Sequence, residues 1–356
     1  MFREGLTFDD VLLVPQYSEL SSRALVDLSV KIKNFTFKHP IVPANMKTIT
    51  GPELALENSD LGGLSILHRF MPIEEQVKIA KKMTLYHDYF AVSIGVQSVD
   101  KENIKQFVDV GVKIFCIDVA HGDSKLTVDM CQWIRNNYPD VLIIAGNVAT
   151  GSAAKRLWQA GANVVKVGIG PGSLCTTRVE TGNGVPQLTA LIDVFEARKD
   201  LYFNKLLSEN NTSSVSASTY NSVYHKEYNH FIIADGGIKR AGDIVKALCF
   251  ADMVMAGNIF AGCDETPGET IIMNGVSYKN YVGSSTHKTN HIEGVAAMVP
   301  TKGKFLDILT KLLEGLRSGC SYQGSTNLQE LKDNPTFIKI TNAGLKESHP
   351  HSVILK

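Results

Sequence analysis

The stretch VLIIAGNVATGSAAKRLWQAGANVVKVGIG, residues 141–170, combines two hydrophobic patterns. Its two ends, VLIIAGNV and VVKVGIG, are short apolar runs rich in β-branched residues, which is typical of strands buried on both faces. Between them, in SAAKRLWQAG, apolar residues return every three to four positions, and this spacing predicts an amphipathic helix. The stretch is therefore a predicted strand–helix–strand unit with parallel strands.

The same unit repeats along the chain. Six more short apolar runs predict strands at 41–46, 63–68, 90–96, 114–120, 231–237 and 252–258. Eight parallel strands separated by helices favour a closed (β/α)8 TIM barrel over an open doubly wound sheet, which usually has fewer strands. With 356 residues, such an α/β barrel fills the chain as a single domain.

One segment interrupts this rhythm between the sixth and seventh strands. Residues 208–230, SENNTSSVSASTYNSVYHKEYNH, are polar, rich in Ser and Asn, and show little periodicity. Such a composition cannot bury enough apolar surface to form a core, so it predicts a flexible surface insertion.

Composition restricts the partners. The chain has 36 basic and 36 acidic residues and a formal charge of zero, and no long block of like charges predicts binding to nucleic acid. No apolar run approaches the ~18 residues of a membrane span, and the first residues do not resemble a signal peptide. We therefore expect a soluble cytoplasmic protein with a small-molecule partner and no membrane or nucleic-acid contact.

The predicted strands end in polar or glycine-rich residues. In a TIM barrel these ends converge on one face, where the active sites of this fold are built. The loop GIGPGSLCTT, residues 168–177, is the richest of them. Its glycines allow backbone N–H groups to approach an anion, and Ser173 adds a hydroxyl. Gly236, Gly237 and Gly257 follow the next two strands, so together these residues predict a site for a phosphorylated ligand.

Cys175 lies in that loop, beside the predicted phosphate site. A thiolate is an effective nucleophile, and backbone dipoles or nearby cations can lower the pKa of a cysteine enough to populate it. Thr177 lies two residues further on, where its hydroxyl can relay a proton. The other five cysteines form no C-x-x-C pair, which indicates reduced thiols without a disulfide framework or zinc site. The residues thus predict covalent catalysis on a phosphate-bearing molecule.

The chain resembles the IMP dehydrogenase / GMP reductase family in the motifs LTFDDVLLVP, IDVAHG, AGNVAT, GIGPGSLCTTRVETGNGVPQLTA, IIADGGI and ETPGE. The resemblance covers nearly the whole chain apart from residues 208–230 and implies a (β/α)8 barrel. Both activities of this family use the cysteine to attack C2 of a purine nucleoside monophosphate and exchange a hydride with a nicotinamide cofactor.

Local features are similar to the reductase branch of the family. GLSILHRFMPIEEQV runs on to FAVSIGV, which leaves no room for the pair of regulatory domains that the dehydrogenases usually carry. The segment GSSTHKTNHIEG, residues 283–294, lacks the Arg–Tyr pair with which the dehydrogenase activates water. TGNG, ANMKT and LHRF also resemble the reductases. The resemblance thus implies NADPH-dependent reductive deamination of GMP to IMP and ammonia, a reaction of purine salvage.

The resemblance assigns roles residue by residue. Cys175 adds to C2 of GMP, and Thr177 with Glu293 delivers the proton that allows ammonia to leave. The residues implied for substrate binding are Asn45, Ser173, Asp235, Gly236, Gly237, Gly257, Asn258, Tyr281, Gly283, Ser284 and Ser285. Those implied for the cofactor NADPH are Arg69, Asp118 and Asn147.

The carbonyls of Gly170, Gly172 and Cys175 match a monovalent-cation site, which leaves open whether potassium binds. Family members are typically tetramers, so a homotetramer is expected.

Three other functions stay open at this point. An IMP dehydrogenase without regulatory domains would oxidise IMP with NAD, but no water-activating base is identifiable. A catalytically silent nucleotide-binding barrel would act as a sensor, although it would not need Cys175, Thr177 and Glu293 together. A phosphosugar isomerase barrel explains the phosphate loops but gives the cysteine no role.

Overall fold

A computed structural model describes residues 2–209, 229–283, 294–333, 335–351 and 353. Eight parallel strands form its centre, and we number them β1 to β8: Ile41–Pro43, Ser65–Leu67, Phe90–Ile94, Ile114–Asp118, Leu142–Val148, Val164–Val167, Phe231–Asp235 and Met253–Ala256. They pair in the order β1-β8-β7-β6-β5-β4-β3-β2. The pairing of β1 with β8 makes the barrel nearly closed. The TIM barrel and all eight predicted strand positions are therefore confirmed.

Helices follow the strands and form the outer layer. We number them α1 to α8: Pro52–Asp60, Ile73–Thr84, Ser98–Asp109, Lys125–Asn137, Gly151–Gln159, Gln187–Glu209, Ala241–Leu248 and Phe305–Tyr322. The sequence explains the starts of two of them, because the side chain of Ser124 caps α4 and that of Thr150 caps α5. In α5 the apolar face, including Ala154, Leu157 and Trp158, is buried. These helices thereby cover the outside of the barrel.

The barrel interior is almost entirely apolar. The β-branched residues of the strands supply much of the core: all five residues of β3 and all four of β6 are buried. One buried residue of β6 is charged, namely Lys166, which is 2% exposed. A buried charge is costly unless it is paired, so this lysine requires partners inside the barrel.

Further elements flank the barrel. Near the N-terminus, Val11–Leu13 pairs antiparallel with Phe337–Lys339, and Val30–Ile32 pairs with Phe35–Phe37. A three-stranded antiparallel sheet follows β8 and brings Tyr281 back to the mouth of the barrel; its strands are Ile271–Met273, Val276–Val282 and Ala296–Pro300. The remaining helices among the described residues are Phe8–Asp10, Arg23–Leu25, Thr177–Thr181, Glu330–Lys332 and Asn342–Glu347.

The predicted insertion at 208–230 lies mostly outside the described residues. Its first two residues, Ser208 and Glu209, belong to α6, so the helix extends further than the sequence pattern indicated. Asn229 and His230 lead directly into β7. Among the described helices, none is both long and apolar enough to cross a membrane.

Candidate active site

A cleft of about 360 Å³ opens at the carboxyl ends of the barrel strands. This volume falls within the range of small-molecule sites. Most of the predicted site residues line it: Asn45, Arg69, Asp118, Asn147, Gly170, Gly172, Ser173, Cys175, Thr177, Asp235, Gly236, Tyr281 and Gly283. Residues that are far apart in the sequence thus meet at one face, as the fold requires.

Other predicted site residues do not line the cleft. Gly257 lies just behind it, where a Cβ would come within 3.0 Å of the Tyr281 hydroxyl. Gly237 lies against Phe8 instead, and a Cβ there would meet the Phe8 ring at 3.5 Å. Asn258 is exposed, and its carbonyl accepts a hydrogen bond from Lys302. The predicted roles of Ser284, Ser285 and Glu293 fall outside the described residues.

The thiol of Cys175 is half-buried at the edge of the cleft. It donates a hydrogen bond to Thr177 Oγ1 at 3.1 Å. The other five cysteines are buried, and burial raises the pKa of the Cys116 and Cys131 thiols to about 12. Those thiols therefore stay protonated and sheltered, whereas Cys175 is accessible to a ligand and has a hydroxyl beside it that can move a proton.

An arginine holds the cysteine loop in place. Arg178 Nε donates to the Ile169 carbonyl at 3.3 Å, and Nη2 donates to the Val185 carbonyl at 2.6 Å. Glycines lie on both sides of it, since a Cβ at Gly170 or at Gly184 would come within 2.4 Å or 2.6 Å of Arg178 Cγ. Gly170 and Gly184 are therefore needed to admit Arg178, in addition to any role of Gly170 toward an anion.

Hydroxyl groups meet at one end of the cleft. Ser173 Oγ and the Tyr281 hydroxyl lie 3.2 Å apart. Burial raises the pKa of Tyr281, while the contact with Ser173 acts in the opposite direction with less effect. The phenol thus stays protonated and is available as a donor. Together with the backbone of the Gly-rich loop, this end offers uncharged donors to an anion.

A carboxylate pair and a lysine occupy the floor of the cleft. Lys166 Nζ lies 2.9 Å from Asp235 Oδ2 and 3.2 Å from Asp118 Oδ1. Asn147 Nδ2 also donates to Asp235 Oδ2, at 2.9 Å. Burial alone would lower the pKa of Lys166, but the two carboxylates outweigh it and raise that pKa above its ordinary value. The lysine is therefore charged.

Sequence reasoning missed Lys166. The available signal was a lysine in the middle of the apolar run VVKVG, since a charged residue within a fully buried strand must have a partner in the barrel. Its partners could not be named from the sequence: Asp235 lies on β7, which pairs with β6, whereas Asp118 lies on β4, two strands away from β6 in the sheet.

Arg69 and Asn45 lie on the other side of the cleft. Arg69 is exposed, its Nε donates to the Asp118 carbonyl at 3.2 Å, and its guanidinium lies 4.8 Å from the centre of the Phe70 ring. Asn45 is buried and donates to Ser93 Oγ at 2.8 Å. An exposed cation is thereby held close to the Asp118 backbone, beside the carboxylate pair.

Fold and site together define a class: a (β/α)8 barrel enzyme with an accessible cysteine on a glycine-rich loop. The chain belongs to the IMP dehydrogenase / GMP reductase family, whose domain model matches residues 5–204 and 210–351. The members of this family are oxidoreductases that act on GMP or IMP with NAD(P) nucleotides.

Relatives with both activities are similar to this chain. An inosine-5'-monophosphate dehydrogenase of Borreliella burgdorferi is 35% identical over an alignment of 423 positions, which covers 99% of this chain and 98% of the relative. A GMP reductase of Bacillus subtilis is 35% identical over 94% of this chain and 96% of its own length. A GMP reductase of Streptococcus agalactiae is 36% identical over 93% of this chain and 95% of its own length. Overall identity therefore does not distinguish the two activities.

Proposed function

We propose that the protein reduces GMP to IMP and ammonia with NADPH, through a covalent bond between Cys175 Sγ and purine C2. The observation that carries this proposal is the 3.1 Å contact between Cys175 Sγ and Thr177 Oγ1 in a loop that also places Ser173 beside Tyr281. The hydroxyl end suits the phosphate of the nucleotide, and Asp235 suits its ribose hydroxyls. Binding at these two points would hold C2 near the thiol, so that the thiolate attacks within a preformed complex.

Each bond, proton and hydride of the proposed reaction can be assigned to a residue or to a substrate. The Cys175 thiolate forms the S–C2 bond, and the 2-amino group gains a proton and leaves as ammonia. Thr177 and Glu293 are the proposed proton donors, since an amide anion is too basic to leave and general acid help contributes about 10²- to 10⁴-fold. NADPH, when bound, supplies the hydride equivalent that C2 acquires. Cleavage of the S–C2 bond then returns Cys175 to the thiolate.

The residues on the Arg69 side fit a nucleotide cofactor. Asp118 lines the cleft with a carboxylate that is 16% exposed and can accept ribose hydroxyls. The exposed Arg69 guanidinium can pair with a phosphate. Asn147 borders the same space and is already fixed through Asp235. We therefore assign NADPH to this side, with Arg69, Asp118 and Asn147 as its binding residues.

The proposed cation site rests on backbone oxygen atoms. The carbonyls of Gly170, Gly172 and Cys175 are of the chemical type that potassium prefers. The Gly172 carbonyl already accepts the Cys175 N–H at 3.1 Å, which leaves one lone pair for an ion. A cation there would stabilise the loop, so potassium should raise the melting temperature of the protein above its value at equal sodium concentration.

The preference for reduction over oxidation rests on the segment that joins Val282 to Ala296, which pair in the three-stranded sheet. This connection, GSSTHKTNHIEGV, contains neither Arg nor Tyr. Its Gly294 lines the cleft and forms a bridge with Cys175. Without the Arg–Tyr pair, the activation of water by which the dehydrogenases hydrolyse a covalent intermediate is not supported. The homotetramer and the cytoplasmic location stay predictions.

Nicotinamide absorbance tests the proposal. Purified protein is mixed with GMP and NADPH, or with IMP and NAD, each with potassium present. Loss of NADPH absorbance with release of ammonia is the expected result, and Glu293→Gln should then slow it. Reduction of NAD by IMP would instead establish that the protein is an IMP dehydrogenase. No change of absorbance in either assay would favour a nucleotide sensor.

A further inference from the structure

Lys166 bridges two carboxylates that come from strands on different sides of it. Its side chain is 3% exposed and lies on β6, whereas Asp118 ends β4 and Asp235 ends β7. Asp118 and Asp235 keep 16% and 20% of their side chains exposed, and both line the cleft. One buried ammonium group thus holds two carboxylates that are accessible to ligands.

The contacts leave acceptor atoms available. Both Lys166 and Asn147 bind the same oxygen of Asp235, Oδ2, at 2.9 Å. Lys166 reaches Asp118 through Oδ1. Within the described part of the chain, Asp235 Oδ1 and Asp118 Oδ2 make no hydrogen bond. Each carboxylate is therefore fixed through one oxygen and presents the other as an acceptor.

Stability alone does not explain this arrangement. Burying an ammonium group and two carboxylates carries a large desolvation penalty, and apolar residues of similar volume in place of buried ion pairs are often neutral or stabilising. The neighbours of Lys166 in β6 are all valines, so an apolar side chain would suit this strand. The ammonium group instead holds two adjacent carboxylates in place.

We propose that Lys166 is a positioning residue for both ligands: it holds Asp235 ready for the ribose of the purine nucleotide and Asp118 ready for a ribose of the nicotinamide cofactor. This inference rests on the proposed function, since the two carboxylates are assigned to the two ligands there. Lys166 itself touches neither ligand and acts through the carboxylates.

Calorimetric titration with GMP, and separately with NADP⁺, tests this role without turnover. Lys166→Met should raise the Kd of both ligands by about ten- to a hundredfold, because hydrogen bonds to charged groups contribute on that scale. Asp235→Asn should raise mainly the Kd of GMP, and Asp118→Asn mainly that of NADP⁺. Lys166→Arg retains the charge and should recover most of the affinity for both.

A double-mutant cycle separates positioning from general damage. If Lys166 acts on NADP⁺ through Asp118, then adding Lys166→Met to Asp118→Asn should change the Kd of NADP⁺ by less than about twofold, while the Kd of GMP still rises. The double variant removes one buried charge of each sign. If Lys166→Met alone does not fold, the comparison of Asp118→Asn with this double variant provides the same test.

Two results would overturn the inference: unchanged Kd values for both ligands in a folded Lys166→Met protein, or additive effects of Lys166→Met and Asp118→Asn on NADP⁺ binding. Failure of the proposed function has a different signature. The unmodified protein would then bind neither nucleotide, or would turn over IMP with NAD while the binding pattern of the variants still held.

Discussion

The sulfur of Cys175 lies 3.1 Å from the hydroxyl oxygen of Thr177, with the thiol as donor. Thr177 begins a short helix, Thr177–Thr181, and Cys175 lies two residues before it. The same hydroxyl can accept a proton from the thiol and donate one to a ligand, so a single contact would serve both the formation of the nucleophile and the departure of the leaving group.

Replacing Cys175 with Ser should abolish turnover while GMP still binds. The hydroxyl of Ser is a far weaker nucleophile at neutral pH than a thiolate, so kcat should fall by about a thousandfold or more, whereas the Kd of GMP should change little. Initial rates and calorimetry measure the two quantities. Iodoacetamide provides the control: it should label the native unmodified protein at Cys175 first, and equal labelling of the buried cysteines would contradict the assignment.

Gly170→Ala should destabilise the protein strongly, and Gly172→Ala should not. Gly170 has a φ of +86°, and a Cβ there would come within 2.4 Å of Arg178 Cγ. A left-handed alanine and the overpacking together cost about 3 kcal/mol. At Gly172 a Cβ would meet only Cys175 Cβ, at 3.5 Å. Urea unfolding measures the free energy of unfolding of both variants, and equal losses would contradict the conclusion that the loop requires glycine at position 170 and not at 172.

Tyr281→Phe should weaken GMP binding without slowing the bound complex. The change removes the hydroxyl that lies 3.2 Å from Ser173 Oγ, and loss of one donor to a phosphate corresponds to about a tenfold higher KM. Steady-state kinetics should show kcat nearly unchanged. Tyr278→Phe, on the same strand, is the matched control and should leave KM unaltered. A fall in kcat alone would place Tyr281 elsewhere in the mechanism.

The protein should lose stability as pH falls below 6.5. Burial lowers the pKa of His39 to about 4 from an ordinary value of 6.5. It also lowers the pKa values of His68 and His230 to about 4. Below pH 6.5 the unfolded chain therefore binds protons that the native state does not, so the stabilisation present at neutral pH is lost progressively down to about pH 4.

His39→Gln isolates one of these contributions. Gln cannot be protonated, so between pH 7 and pH 5 the variant should lose about 2 kcal/mol less unfolding free energy than the unmodified protein. The comparison uses the slope against pH, because the substitution also changes stability at neutral pH. Parallel curves for the two proteins would mean that His39 has the same pKa in the native and unfolded states.

The strands could be predicted because each is a short apolar run, and such a run indicates a buried strand whatever its neighbours are. VVKVGIG and FIIADGG predict buried strands by themselves, and the polar residues at their ends converge in any barrel. The lengths of the strands could be predicted less well. The run 41–46 forms a strand of only three residues, Ile41–Pro43, because the residues after it turn toward the cleft.

Features that arise from distant pairing could not be predicted. The link from Lys166 to Asp118 and Asp235 requires the order of strands in the closed barrel. The placement of Gly237 against Phe8 depends on where the N-terminal segment packs. The pairing of Val11–Leu13 with Phe337–Lys339 joins segments whose sequences carry no complementary pattern.

That last pairing has a consequence for synthesis on the ribosome. Val11–Leu13 emerges early, but its partner, Phe337–Lys339, emerges only after every barrel strand has been translated. Until then the nascent chain carries an unpaired strand edge, of the kind that recruits other chains. A strand translated after the barrel thus covers one translated before it, and a chain truncated before residue 337 would leave that edge open.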